Sequence, residues 1–203
     1  MAISSNWIVC LGGNHNQIPY LREFKKLGFN ILLFDKNKKA PGIELSNIFY
    51  QVGYEDNLNL LSSLQSSEID LNQLNYIFSA SSQFSQIGVS FLQEKLKIKG
   101  VSLKNIQICL NKRNFYKLFV NLSLPIPFTK FIVSSTSLKK IISNDPSSSN
   151  WYLKSDYGKS PNYIYKIKSH DINLNNINWV KDRYLRDGYL LQKEFYGEHL
   201  RVN

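Results

Sequence analysis

The sequence predicts an α/β fold, with a largely parallel sheet over residues 1–105 and a second, α+β region over residues 106–203. Three observations carry that prediction. Residues 7–35 read as strand, glycine turn, helix and strand; the alternation then continues to about residue 96; and from Gly100 it gives way to a helix, a proline-punctuated extended run and a hairpin. Alternating strands and helices build parallel sheets, because a parallel partner needs a crossover long enough to hold a helix.

WIVCL at residues 7–11 is an unbroken apolar run of strand length, the pattern of a strand buried on both faces. Gly12, Gly13 and Asn14 break it, and Ile18, Leu21, Phe24 and Leu27 then recur at helical spacing. Gly28 stands where a helix closes, and NILLFD at 30–35 is a second buried strand ending on a carboxylate. A βαβ unit of this kind invites a dinucleotide reading, with phosphate at the glycine turn and Asp35 on a ribose. Its fingerprint is incomplete, since Asn14, His15, Asn16 and Gln17 follow Gly13 where later glycines would be needed, and a structural turn is the default.

KNKKAPGIELSN reads as a loop, followed by a third strand over 48–52 and a helix over 57–64. A fourth strand over 76–79 leads through the polar turn SASSQ, which offers a serine helix cap, into a helix body over 87–96. In the second region, residues 111–122 form a helix with Phe115, Leu118, Phe119 and Leu122 on one side. Pro125 and Pro127 then stop it and start an extended run. A short helix near 138–142, a Ser/Asn/Pro-rich surface loop, a hairpin, a helix around 174–184 and a buried strand at 189–191 complete the chain.

Of the formal charge of +10, residues 1–105 carry +2 and residues 106–203 carry +8. The excess is spread as single lysines and arginines, which suits a solvated surface or a pocket for a polyanionic small molecule; without a recognition helix, stacking platform or basic stripe, nucleic acid is an unlikely partner. No apolar run approaches the length that spans a bilayer, and the beginning of the chain lacks the charged head and cleavage site of a signal peptide, so a cytoplasmic protein is expected. Cys10 and Cys109 each lie in an apolar stretch without a CxxC or CxxH partner and read as buried free thiols. His15, His170 and His199 are scattered, and no metal site is read.

The hairpin WYLKSDYGKSPNYIYKI at 151–167 places Lys154 at a strand end, before residue types that bend a backbone tightly: Asp156, Gly158, Ser160, Pro161 and Asn162. Alone it is an ordinary Lys/Gly hairpin. With Asn111-Lys112 opening a helix, Pro125-Ile126-Pro127 starting a strand, and Gln192-Lys193-Glu194-Phe195-Tyr196-Gly197 after the hairpin, its order and spacing resemble the ATP-grasp superfamily. The stretch LGGNHNQIPYLREFKKLGFNILLFDKNKKAPG is similar to the pre-ATP-grasp domain that precedes the ATP site in those enzymes.

The resemblance implies a Rossmann-like pre-ATP-grasp sheet at 1–105, then an incomplete ATP-grasp domain at 106–203. It implies an ATP-dependent carboxylate-amine ligase acting on a small carboxylate, with a homodimer allowed. Lys112, Lys154 and Ser160 would meet phosphates; Gln192, Lys193 and Phe195 would line the adenine pocket; Glu198 or His199 would meet the ribose; and Arg201 matches an arginine of the peptide-ligase branches. Mg²⁺ is expected for the family, but the lobe that carries its ligands has no counterpart in this sequence. Pro161 and Tyr163 stand where the family hairpin has glycines, which predicts a stiffer lid with fewer amide donors. The alternative is a non-catalytic or truncated nucleotide-binding or interaction module.

Overall fold

The computed structural model describes residues 6–145, 150–156, 164–168, 188–195 and 197. The chain divides into two units, Met1–Gln107 and Ile108–Asn203.

The first unit is built on four parallel strands, β1 (Trp7–Leu11), β2 (Asn30–Phe34), β3 (Ile48–Tyr50) and β4 (Leu74–Phe78), in the order β3-β2-β1-β4. Helix α1 (Ile18–Lys26) connects β1 to β2 and α2 (Asn57–Gln65) connects β3 to β4, while α3 (Ser85–Lys95) follows β4. The apolar runs explain the layering, because alternate residues of β1 and β2 feed two cores. Val9, Leu11, Leu32 and Phe34 join Leu60, Leu64, Val89 and Leu92 on one face, while Ile8, Cys10, Ile31 and Leu33 join Leu21 on the other. The helix C-terminus at Gly28 is as expected: Gly28 has φ +82°, and the Phe29 amide donates to the Phe24 carbonyl at 3.0 Å.

Chain order reverses between β1 and β4, the place where open α/β sheets usually leave a crevice. Here Gln17 occupies it. Its fully buried amide donates to the carbonyls of Leu11 and Gly12 and accepts from the Ala80 amide at 3.1 Å, while Ser79 Oγ donates to the same Leu11 carbonyl. Gly12 has φ +93°, and a Cβ there would lie 2.8 Å from Ser81 Cβ as well as against Gln17. Gly12→Ala is therefore expected to cost roughly 2 kcal/mol through combined backbone strain and overpacking, read as a lower urea midpoint at unchanged m-value.

Three expectations are corrected. Leu27 is 71% exposed, since α1 closes on the residue before it. The serine cap of α3 is not made: Phe84 is the N-cap, and Ser82 Oγ instead accepts the Phe84 amide at 3.1 Å. Cys109 is exposed, whereas Cys10 is buried and its thiol is pushed up to about 12 by desolvation. A helix that the sequence reading passed over, α4 (Leu103–Leu110), precedes the expected one.

The second unit carries α5 (Lys112–Asn121), β5 (Thr129–Ile132), α6 (Ser135–Ser143), β6 (Asn150–Ser155), β7 (Ile164–Lys168) and β8 (Tyr189–Lys193). Its antiparallel sheet has the order β5-β8-β6-β7. Leu138 and Ile142 of α6 close one face of it over Ile132, Trp151, Leu153, Ile167, Tyr189 and Leu191. The apolar side of the helix expected over 111–122 is largely open, with Phe115 40%, Leu118 37% and Leu122 59% exposed and Phe119 half-buried, and α5 fully buries none of its residues. The turn of the hairpin and the helix expected at 174–184 lie outside the described residues.

Candidate functional site

Strand alternation sorts β6 into two sets: Trp151, Leu153 and Ser155 are buried, and Asn150, Tyr152 and Lys154 are half-buried on the opposite face. Register carries that second face into β8, where Tyr152 pairs with Gln192 and Lys154 with Leu190. Lys154 Nζ donates to Gln192 Oε1 at 2.6 Å, and Gln192 Nε2 donates to Thr129 Oγ1 at 3.2 Å. Three adjacent strands thus fix one amine. Desolvation lowers the Lys154 amine from its ordinary value.

Lys112 reaches the same region from the first turn of α5. Asn111 is the N-cap, its Oδ1 accepting the Asn114 amide at 2.8 Å. The start of α5 is moored to the end of β6 by Asp156, which is fully buried. The Lys112 amide donates to the Asp156 carbonyl at 3.1 Å, the Arg113 amide donates to Asp156 Oδ1 at 2.8 Å, and Arg113 Nε lies 3.3 Å from Asp156 Oδ2. The Arg113 guanidinium lies 4.9 Å from the ring centre of Phe131. The Lys112 amine is lowered first by desolvation, with Asp156 raising it and Lys154 lowering it. Lys154 is thus near enough to weigh on the Lys112 amine.

The remaining predicted residues do not all join them. Lys193 faces the other way: its ammonium pairs with Asp145 at 3.3 Å and sits 5.7 Å from the Trp151 ring centre, in a groove of about 340 Å³ with Phe128 and Ile141. Phe195 is 74% exposed. Ser160, Glu198, His199 and Arg201, like Pro161 and Tyr163, lie outside the described residues.

Two groups escaped the sequence reading. Asp156 passes for a turn former, and only its pairing with Arg113, 43 residues earlier, gives it a structural role. Glu194 gathers Asn150 Nδ2 at 2.6 Å, Tyr152 Oη at 3.1 Å and Lys166 Nζ at 2.8 Å, tying β7 and β6 to the end of β8. These bonds, led by that from Lys166, lower the Glu194 carboxyl to about 2. A carboxyl depressed on folding contributes stability above its unfolded value, and loses it as pH falls toward 2. Glu194→Gln is expected to flatten the acid limb of unfolding between pH 4.5 and 2, measured by denaturant titration at stepped pH.

No family sequence model matches the chain, and no curated protein sequence matches it. Solved structures do. An N5-carboxyaminoimidazole ribonucleotide synthetase in its ADP complex aligns with TM-score 0.69 at 13% identity, covering 96% of this chain and 48% of that one. L-amino acid ligase from Bacillus licheniformis aligns with TM-score 0.68 at 11% identity, over 92% of this chain and 43% of that one. The biotin carboxylase domain of 2-oxoglutarate carboxylase from Hydrogenobacter thermophilus, solved with MgADP, ADP and bicarbonate, aligns with TM-score 0.67 at 14% identity, over 92% and 44%. All three are ATP-grasp enzymes. The chain has the fold of the N-terminal part of ATP-grasp enzymes. It spans less than half the length of these ATP-grasp structures, and at such identities the likeness is one of fold. None of its helices, among the described residues, is long and apolar enough to cross a membrane.

Proposed function

We propose that the chain is the ATP-binding portion of an ATP-grasp ligase, its first unit being the pre-ATP-grasp domain and its second the nucleotide-holding lobe. The observation that carries this reading is the convergence of Lys112 and Lys154, from separate elements, on one side of the sheet, with Lys154 held by Gln192. ATP supplies the phosphoryl group by which a small carboxylate becomes an acyl phosphate open to attack by an amine. The chain's own part is narrower: two desolvated ammonium groups hold the phosphates where water screens them least, and Gln192 of β8 and Phe195 just beyond it border the base. Ser160, Glu198, His199 and Arg201 extend the same proposal to phosphate, ribose and substrate.

The paired charges of Lys112 and Lys154 suit the phosphates of ATP. No three His, Cys, Asp or Glu side chains gather among the described residues, and Asp156, nearest the lysines, is engaged with Arg113.

The test is calorimetric titration of the purified chain with ATP across alkaline pH. Both amines titrate below the ordinary lysine value of 10.5, so affinity is expected to fall as pH rises toward 10.5, with net proton uptake on binding in that window. Absence of binding at millimolar ATP near neutral pH would overturn the reading. A second reading, a non-catalytic nucleotide-binding or interaction module, draws on the exposed apolar stripe of α5. It expects ATP binding without phosphoryl transfer.

A further inference from the structure

All of the formal charge of +10 falls in one stretch of the chain. Residues 95–144 hold ten Lys and Arg side chains and no Asp or Glu, while the rest of the chain holds fifteen of each sign. Surfaces ordinarily mix the two signs. The part of this stretch in the second unit, residues 108–144, carries six of the ten cations. It also carries seven of the fourteen large apolar side chains exposed among the described residues. Charge excess and open apolar surface coincide there, and such a surface marks an interaction site.

Helix α5 and the turn that closes it hold the apolar part. Phe115, Leu118, Phe119 and Leu122 stand at i, i+3, i+4 and i+7, with the Phe115 and Phe119 ring centres 4.5 Å apart. The Leu124 amide donates to the Phe119 carbonyl and the Ser123 amide to the Val120 carbonyl, each at 3.0 Å, with Ser123 at φ +54°. This closing turn, stiffened beyond by Pro125 and Pro127, fixes the exposed Leu122 and Leu124 at the end of the stripe. The other side of α5 is engaged: the Tyr116 ring lies 5.7 Å from that of Phe131, and Arg113 is bound to Asp156. Lys130, the neighbour of Phe131 on β5, is exposed.

Charge decides among the occupants. A second copy would set α5, which carries three Lys and Arg and no acid, against its own like charge. A partner that encircles a helix cannot take one moored along its other side. An anionic lipid surface offers opposite charge over a wide area with an apolar interior beneath, and it needs no shape matched to a helix flank. Lying on such a surface asks for no membrane-crossing helix. We propose that the outward flank of α5, with the turn at 122–124 and Lys130, docks on an anionic lipid surface. Phe115, Leu118, Leu122 and Leu124 enter the acyl boundary, and the cations stay among the headgroups. The proposal rests on the reading of the α5 stripe as an interaction surface and not on ATP binding.

The test is co-sedimentation of the full chain with sucrose-loaded vesicles, made of phosphatidylcholine alone or of an equimolar mixture with phosphatidylglycerol. Partition into the mixed vesicles is expected to be at least tenfold stronger than into phosphatidylcholine. Leu118→Asp with Leu122→Asp should weaken it at least tenfold. Leu27→Asp with Leu58→Asp, exposed leucines of the first unit with the same change of charge, should weaken it less than threefold. Where the α5 aspartates alter the circular dichroism spectrum, Lys130→Gln carries the test, with an expected loss of at least twofold on the mixed vesicles. No partition into the mixed vesicles, or equal losses in the two aspartate pairs, overturns the proposal. Retention by polyuridylate or polyglutamate without partition into vesicles also overturns it, and assigns the surface to nucleic acid or to an acidic polypeptide. Binding to none of the three removes the interaction reading as well. Lys154→Met should change vesicle partition less than twofold, so a failure of ATP binding and a failure of this surface are read separately.

Discussion

Asp156→Ala is expected to destabilise the second unit by about 3 kcal/mol, the scale seen when one partner of a buried ion pair is removed. The carboxylate is fully buried, and its loss strands two donors at once, the Arg113 amide and guanidinium. Arg113 keeps 28% of its side chain in solvent and stacks on Phe131, which holds the cost to the lower end of the range for such pairs. The consequence for the site is positional. Lys112 takes its place from the start of α5, so freeing that helix from the end of β6 moves one of the two amines. Urea unfolding checks the stability term. The chemical shift of the Lys112 ammonium, followed in Asp156→Ala and in the milder Asp156→Asn, checks the displacement; an unmoved signal would refute the mooring role.

Lys154→Met separates binding from folding. A desolvated amine is carried by the folded chain at a cost, so an apolar side chain of similar length should leave stability unchanged or raise it. ATP affinity should fall on the order of 30-fold, the equivalent of about 2 kcal/mol for one charge-assisted contact to phosphate. Lys117→Met, an exposed position on α5, serves as the control and should change affinity less than about twofold, as a screened surface charge does. If both variants weaken ATP equally, the effect belongs to net charge, and the assignment of Lys154 fails.

The parts of this molecule that depend on local pattern were legible in the sequence. Strands β1, β2 and β8 appear as apolar runs because they are buried, and Gly28 appears as a helix end because only glycine takes its backbone angle cheaply. Lys112 and Lys154 were brought into one expectation only through a family resemblance, since a single lysine before a turn is ordinary. What stayed hidden depends on distant partners. The burial of Asp156 is decided by Arg113, and the plugging of the sheet crevice by Gln17 is decided by a loop 63 residues away. The α5 stripe shows the complementary limit: periodicity states that a face is apolar, and the neighbour that would cover it is a separate matter.

Under the proposed function, Gln192 has a consequence for how the Lys154 amine waits between encounters. An acid at this position would neutralise the amine it orients. An amide aims the same ammonium with a dipole and leaves its full charge outstanding. An arriving phosphate then has only a neutral hydrogen bond to displace, with no ion pair to break. An amide here would trade tighter restraint of an idle lysine for readiness, and the exchange of Gln192 for phosphate would proceed without stranding a second charge beneath the ligand.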